Sequence, residues 1–150
     1  MGLGIYTSSV ASSRTKDNSG STGVHAFTVT LDGRAGGIRQ YRLFVRNDDS
    51  ARSFTGLTVQ PIATTSPSVV DGTTTGFTWK LFAGDKQPTD AQWGTVTAAA
   101  VISLSNIGTS TVSDIASYLP FWVRVEIPRN TSVQVLRNVV LKVAATEILI

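Results

Sequence analysis

The chain has 150 residues, no cysteine and a small net charge of +3. This length fits one domain with a full core, and the lack of cysteine excludes a disulfide-built fold and thiolate metal sites. No apolar run reaches the roughly 18 residues of a membrane helix, and the start shows no signal-peptide pattern, so we expect a soluble, unprocessed protein.

The N-terminal segment is rich in serine, threonine, glycine and asparagine. Between Ser8 and Gly23 only Val10 and Ala11 are apolar, too little to offset the entropy of ordering the segment by itself. We therefore expect an extended N-terminal arm over residues 1–23, held down by a neighbouring subunit, and a single folded domain over residues 24–150.

Alternating apolar residues predict the first strands of that domain. His25 to Leu31 alternates apolar with polar positions, and Ile38 to Arg46 does so again after a stretch that contains Asp32-Gly33 and Gly36-Gly37. Glycines in that stretch supply the positive φ angles of a tight turn. The pattern predicts a β-hairpin.

The middle of the chain predicts two further strands. Phe54 to Val59 is the third, with Gly56 as a bulge and Pro61 either closing the strand or marking a sheet edge. Phe77 to Leu81 is the fourth, because its large apolar residues occupy alternate positions, with Trp79 directed inward.

A short helix is predicted after the fourth strand. Thr89 to Gln92 has the spacing of a capping box, and Trp93-Gly94 ends the helix after about one turn. Val101 to Leu104 is predicted as another short strand.

The last third contains the clearest strand signal. Phe121 to Ile127 alternates strictly, and a β-branched run from Val133 to Val143 follows the turn Pro128-Arg-Asn-Thr131. The two runs predict a terminal hairpin. Arg137 would fall on its inner face, which favours a bulge there over a buried carboxylate partner.

Short strands separated by turn residues, with no long helical period, predict an all-β fold. We expect a single antiparallel β-sandwich, immunoglobulin-like or jelly-roll-like, with about 7–8 strands and the extended N-terminal arm.

The chain offers little material for catalysis. His25 is the only histidine, and no nucleophile–base set, metal cluster or phosphate loop can be recognised. Asp48 and Asp49 fit a turn better than a calcium loop. Glu126 and Glu147 are the only glutamates, so a glycosidase pair would need aspartates close in space. We therefore expect a protein that is not an enzyme and holds no cofactor or metal.

Five arginines lie between Arg34 and Arg52. They could bind phosphate or an acidic protein surface, or they could form a solvated strand face that pairs with carboxylates across a subunit contact. Asp48 and Asp49 within the cluster favour the second interpretation, so nucleic acid is not an expected partner.

Several aromatic residues are out of phase with the apolar face of their own strand. Trp122, Phe44 and Phe82 would point outward, which indicates a face covered by a second layer or by a partner subunit. Trp93 or Trp122 could also stack against a sugar ring. The interface candidates are Tyr6, Val10, Arg42, Phe44, Arg46, Phe82, Trp93, Trp122 and Arg124.

The string Phe121-Trp-Val-Arg-Val-Glu-Ile-Pro-Arg-Asn-Thr131, followed by Val139-Val-Leu-Lys-Val143, resembles the terminal hairpin of immunoglobulin-like modules in virion proteins of tailed bacteriophages. Tyr41-Arg-Leu-Phe-Val-Arg-Asn47, with Phe54 to Pro61 after it, is similar to the first half of such a module. The resemblance transfers no catalytic residues.

This resemblance implies a structural protein of the virion, made in the bacterial cytoplasm, that decorates or cements the capsid or attaches at the tail or neck. Its expected partners are other virion proteins, namely capsid, tail or neck subunits, and further copies of itself in a homo-oligomer, with no membrane. The alternative is a carbohydrate- or receptor-binding β-sandwich module.

Overall fold

The structure is a computed structural model that describes residues 3–7, 24–26, 29–31, 36–47, 51–63, 78–107, 118–128, 134–136 and 139–149. These residues form ten strands and one short helix, α1 (Asp90–Gly94). The strands are β1 (Leu3–Tyr6), β2 (Val24–Ala26), β3 (Val29–Leu31), β4 (Gly37–Asn47), β5 (Arg52–Ala63), β6 (Thr78–Ala83), β7 (Ile102–Ser103), β8 (Tyr118–Ile127), β9 (Gln134–Leu136) and β10 (Val139–Leu149).

The strands form two main antiparallel sheets. Sheet 1 has the order β1-β4-β8-β6, and sheet 2 has the order β2-β10-β5-β7. A separate two-stranded sheet pairs β3 with β9. The predicted all-β sandwich is confirmed.

The core is built from the alternate residues that face the space between the two main sheets. Strand β8 shows the pattern most clearly, because every second residue from Phe121 to Ile127 is buried, as the alternation predicts. Trp79 on β6 is fully buried, which confirms its predicted direction. The buried cluster comprises Leu3, Ile5, Leu43, Val45, Phe54, Leu57, Val59, Trp79, Leu81, Ile107, Phe121, Val123, Val125, Ile127, Leu141 and Val143.

The beginning of the chain is part of the sandwich. Strand β1 pairs antiparallel with β4 at the edge of sheet 1, and its Leu3 and Ile5 side chains belong to the core. The segment predicted as an arm thus supplies an edge strand of its own domain. Residues 8–23, including Val10, lie outside the described residues and connect β1 to β2.

The hairpin predicted for the first strands is wrong. Strand β4 has β1 on one side and β8 on the other, while β2 and β3 pair with β10 and β9. The Asp32-Gly33 turn lies outside the described residues. Turn residues indicate that the chain reverses, but they do not select its partner strand, and consecutive strands of a sandwich often belong to different sheets.

The predicted terminal hairpin is also wrong, because its two strands belong to different sheets. Strand β8 lies in the middle of sheet 1, whereas β10 lies in sheet 2 between β2 and β5. The run from Val133 to Val143 contains two strands, β9 and β10. Arg137, where a bulge was predicted, lies outside the described residues.

The bulge predicted at Gly56 is confirmed. Gly56 has a φ of +63°, and the register between β5 and β10 shifts at this point, so Gly56 and Leu57 lie opposite Ala145 alone. A glycine in the left-handed region is typical of such a bulge, because a side chain there would be strained.

Pro61 does not end its strand, because β5 continues to Ala63. The amide of Leu104 donates to the carbonyl of Leu57, so the backbone groups of Leu57 point toward β7. Because backbone groups alternate along a strand, those of Pro61 point to the same side. Strand β7 pairs only with Thr58 and Val59. Pro61 therefore lies at an edge position within the described part of the sheet, where its missing N–H removes no ladder bond.

Candidate interaction site

The outer face of sheet 1 carries polar and aromatic side chains that are out of phase with the core. Strands β4, β8 and β6 are neighbours, so their outward residues form cross-strand rows. One row holds Gln40, Arg124 and Lys80, and the next holds Arg42, Trp122 and Phe82.

Residues 84–94, here called the cover segment, contact this face through hydrogen bonds and ring contacts. The segment ends in α1, which begins with the predicted capping box. The Thr89 Oγ1 accepts a hydrogen bond from the Gln92 backbone N–H at 3.2 Å, and the Gln92 Oε1 accepts one from the Thr89 N–H at 2.9 Å. The predicted single helical turn is confirmed.

Trp93 anchors the cover segment and is only 1% exposed. Its indole N–H donates to the Gln40 side-chain oxygen at 3.0 Å, and its carbonyl accepts from the Lys80 ammonium at 3.3 Å. The Phe82 ring packs against it edge-on at 5.9 Å. A sugar ring cannot stack on so enclosed a side chain, and Trp93 is therefore wrong as a sugar platform.

Arg124 joins the cover segment to β8. Its side chain is 11% exposed, and its guanidinium carbon lies 5.9 Å from the centre of the Trp93 ring. The guanidinium contacts Asp90 at 3.1 Å and Glu126 at 2.8 Å. The Glu126 side chain is 33% exposed and that of Asp90 is 94% exposed, so the hydrogen bond to Glu126 is the one sheltered from water and the stronger of the two.

The other end of the cover segment is held by Asp85. Its backbone carbonyl accepts a hydrogen bond from the Trp122 indole N–H at 3.0 Å, and its carboxylate lies 3.0 Å from the Arg42 guanidinium. The Arg42 and Asp85 side chains are 48% and 69% exposed, so this ion pair contributes little stability. Its two charges remain accessible to a partner.

The remaining predicted residues lie beside this region on the same face. Tyr6 pairs with Phe44 across strands β1 and β4, and both are buried. The Arg42 guanidinium lies 5.4 Å from the centre of the Phe44 ring, and that of Arg46 lies 5.6 Å from the Tyr6 ring. Every predicted interface residue except Val10, which lies outside the described residues, is thus found on or against this outer face.

The structure also shows what covers the out-of-phase aromatic residues. Phe82 and Trp122 contact the chain's own cover segment, so the second-layer interpretation is supported for them. Sequence reasoning missed Gln40 and Lys80, which bind Trp93, and Asp85, which contacts Trp122 and Arg42. Their positions depend on strand register, which no local pattern specifies.

A second surface lies where the two main sheets end on the same side. Strand β6 is the last strand of sheet 1, and β7 is the last strand of sheet 2. Two adjoining cavities of about 280 and 470 Å³ run between them and share Ala83 and Ser103. We call this feature the edge groove. All described residues that line it are uncharged, and Val101 beside it is 54% exposed.

The backbone of β6 faces this groove with unpaired groups. The Gly84 N–H donates to the Pro120 carbonyl of the neighbouring β8, and the Ala99 N–H donates to the Trp79 carbonyl from the opposite side. Backbone groups alternate in direction along a strand, so those of Leu81 and Ala83 point away from β8. Leu81 is fully buried, whereas Ala83 is exposed and no described residue forms a hydrogen bond with its backbone groups.

Strand β7 presents the same feature from sheet 2. The Leu104 N–H donates to the Leu57 carbonyl of β5 at 2.8 Å. By the same alternation the backbone groups of Ser103 point away from β5. The edge groove therefore lies between two strand edges that each have backbone groups available for pairing.

Within the described ranges, no three histidine, cysteine, aspartate or glutamate residues are grouped so that they could hold a metal ion. No helix within the same ranges has the length and apolar character needed to cross a membrane.

Comparison with known proteins gives no match. No protein-family model matches the chain, and no curated protein or solved structure matches it significantly.

Proposed function

We propose that this chain is a non-enzymatic structural protein that acts through contacts between subunits. Its proposed place is a bacteriophage particle, where it decorates, cements or joins capsid or tail components. The observation that carries the subunit-contact role is the edge groove between β6 and β7.

Exposed strand edges invite pairing with another chain, and monomeric β proteins usually protect them with charged residues, proline or bulges. The described lining of the edge groove has no charged side chain, and the outward backbone groups of the exposed Ala83 and Ser103 have no described partner. A surface of this kind supports a protein whose working state includes a neighbouring chain.

The outer face of sheet 1 supports the same proposal. The cover segment is fixed by buried contacts at Trp93 and Arg124, yet it leaves the charges of Arg42, Asp85 and Asp90 exposed. Charges held on a rigid support lose little conformational freedom when a partner binds. The bacteriophage assignment itself depends on the sequence resemblance of β4, β5, β8 and β10, although β8 and β10 lie in different sheets and do not form the hairpin of such a module.

The rival proposal, a carbohydrate- or receptor-binding module, depends on Trp122 now that Trp93 is enclosed. Trp122 is half-buried and its indole N–H is already donated to Asp85. The described residues thus favour subunit contact over sugar stacking.

Sedimentation velocity from dilute to concentrated protein tests the proposal, with two matched variants. We expect concentration-dependent association that Ala83→Lys weakens at least tenfold, because it places a charged side chain in the edge groove. Ala91→Lys adds the same charge on the exposed side of α1 and should associate like the unmodified protein.

A protein that stays monomeric at the highest concentration, and that is absent from purified particles, contradicts the proposal. Binding on a glycan array that disappears in Trp122→Ala would instead support the carbohydrate-binding rival.

A further inference from the structure

We infer that the edge strand β7 pairs antiparallel with β7 of a second copy of this chain, so that sheet 2 continues across a twofold axis. The inference rests on the proposed function, because it names the partner of the subunit contact. Three observations support it: the exposed backbone groups of this edge, the absence of charge and proline along it, and its complementarity to itself.

The edge of sheet 2 is longer than β7 alone. The pairing with β5 continues after β7, because the Leu104 N–H donates to the Leu57 carbonyl at 2.8 Å. Further along, Ile107 exchanges two backbone hydrogen bonds with Phe54, at 2.9 and 3.0 Å. Residues 102–107 therefore follow β5 as one edge of the sheet.

Three residues of this edge turn their backbone groups outward. Those of Ile102 and Leu104 face β5, and backbone groups alternate in direction along a strand. The groups of Val101, Ser103 and Ser105 therefore point away from β5. All three residues are exposed, all three line the edge groove, and no described residue forms a hydrogen bond with their backbone groups.

Strand β6, on the other side of the groove, is less suited to pairing. Its backbone groups at Leu81 and Ala83 point away from β8, but Leu81 is fully buried and only Ala83 is exposed. The strand edge open to a partner is therefore the one that β7 forms.

This edge lacks the features that protect strand edges in monomeric proteins. Residues 101–107 read Val-Ile-Ser-Leu-Ser-Asn-Ile, with no charged residue and no proline. Two copies of the run can therefore lie side by side without placing like charges opposite each other.

A twofold axis at Ser103 makes the edge complementary to itself. Antiparallel pairing then places Ser103 opposite Ser103 of the second copy, and Val101 opposite Ser105 of the second copy. Each outward residue thus meets another outward residue, and each such pair can exchange two backbone hydrogen bonds. A contact of this kind uses the same surface on both copies, as in the twofold dimers that are the commonest homo-oligomers.

The same register also matches the apolar side chains. Ile102 lies opposite Leu104 of the second copy, and in one copy both side chains are only partly buried against the core. Pairing would bring them together in a pair without hydrogen bonds between it, where side chains approach most closely. The contact would therefore bury further apolar surface from each copy.

Cysteine cross-linking tests the pairing, because the chain has no cysteine of its own. Residues that exchange backbone bonds in an antiparallel ladder have Cα atoms about 5.5 Å apart, within the range of a disulfide. Ser103→Cys places a thiol at the twofold axis. After mild oxidation we expect at least tenfold more disulfide-linked dimer than with Ala91→Cys, whose thiol lies on the exposed side of α1.

The register is tested with Val101→Cys and Ser105→Cys. In the paired edge each of these residues lies roughly 14 Å along the strand from its own counterpart, beyond the reach of a disulfide. Mixing the two variants, each with a different affinity tag, brings unlike thiols opposite each other. We expect a disulfide between the two tags and little dimer of either variant alone. Equally strong dimers of Val101→Cys alone would overturn the inference.

A proline variant tests the backbone bonds themselves. The Ser103 N–H points away from β5, so Ser103→Pro removes no hydrogen bond within the sheet but removes the central pair of the contact. Sedimentation velocity should show association weakened at least tenfold, whereas Ser103→Thr, which keeps the N–H, should associate like the unmodified protein. Circular dichroism and unfolding midpoints establish that each variant is folded.

The two proposals can fail separately. If the protein associates but Ser103→Cys does not cross-link above the Ala91→Cys control, this inference is wrong and the proposed function stands. If the Ser103 amide is already protected from exchange in the dilute monomer, another part of the same chain covers the edge and the inference is also wrong. If the protein does not associate at all, both proposals are wrong.

Discussion

Arg42 and Arg124 have the same chemistry on neighbouring strands, but their surroundings give them different roles. Both contact an aspartate of the cover segment, Asp85 and Asp90, at similar distances. The Arg42 side chain is 48% exposed, whereas that of Arg124 is 11% exposed and also contacts Glu126. Arg124 therefore stabilises the fold, while Arg42 remains available to a partner.

Replacing each arginine with methionine should separate these two roles. We expect Arg124→Met to lower the free energy of unfolding by about 1–2 kcal/mol, because it removes two charge-assisted hydrogen bonds and a ring contact. Arg42→Met should cost less than about 1 kcal/mol, since water screens its ion pair. Urea unfolding measures both values, and an equal loss in the two variants would contradict the distinction.

At the scale of the element, the cover segment explains why an outward tryptophan occurs on β8. The segment turns after β6, forms one helical turn and returns to the outer face of the same sheet, with Trp93 as its anchor. Because α1 is too short to be stable alone, its cap and its buried anchor must hold it in place.

Removal of the cap should therefore loosen the cover segment more than the sandwich. We expect Thr89→Ala to cost about 1 kcal/mol, because the Gln92 N–H loses its acceptor. Hydrogen exchange of the Trp93 indole N–H should accelerate roughly fivefold, the equivalent of that free energy. Thr89→Ser keeps the hydroxyl and should exchange at close to the unmodified rate. If Thr89→Ala leaves the indole exchange unchanged, the cap does not hold the segment.

At the scale of the whole molecule, two surfaces of the sandwich differ. The cover segment lies on the outer face of sheet 1, whereas no described segment fills the groove between β6 and β7. The first surface is covered by the chain itself, through hydrogen bonds donated by the indole N–H groups of Trp93 and Trp122. The second has unpaired backbone groups and an uncharged lining in the described part of the chain. An assembly role assigns the second surface to a neighbouring copy.

Local patterns predicted the structure where the cause is local. The alternation of Phe121 to Ile127, the bulge at Gly56 and the capping box at Thr89 all follow from residues close together in the chain. The alternation along β8 also predicted that Trp122 points away from the core, and Trp122 does contact the cover segment on the outer face of sheet 1.

Strand partners could not be predicted in the same way. Whether β4 pairs with β3 or with β8 depends on how the two sheets share the core, and the turn residues between strands are compatible with both. The edge groove was missed because β6 and β7 come together only through the order of strands in two separate sheets. Gln40 was missed because its contact with Trp93 joins residues far apart in the chain.

Residue-resolved amide exchange, measured by NMR from dilute to concentrated protein, tests the central claim most directly. The amide of Ala83 points away from β8 and that of Ser103 away from β5, and both residues are exposed, so these amides should exchange rapidly in the monomer. On association they should slow at least tenfold, while the amide of the exposed Ala91 remains unchanged. If the protein associates and the Ala83 and Ser103 amides exchange as fast as in the monomer, the edge groove is not the contact between copies.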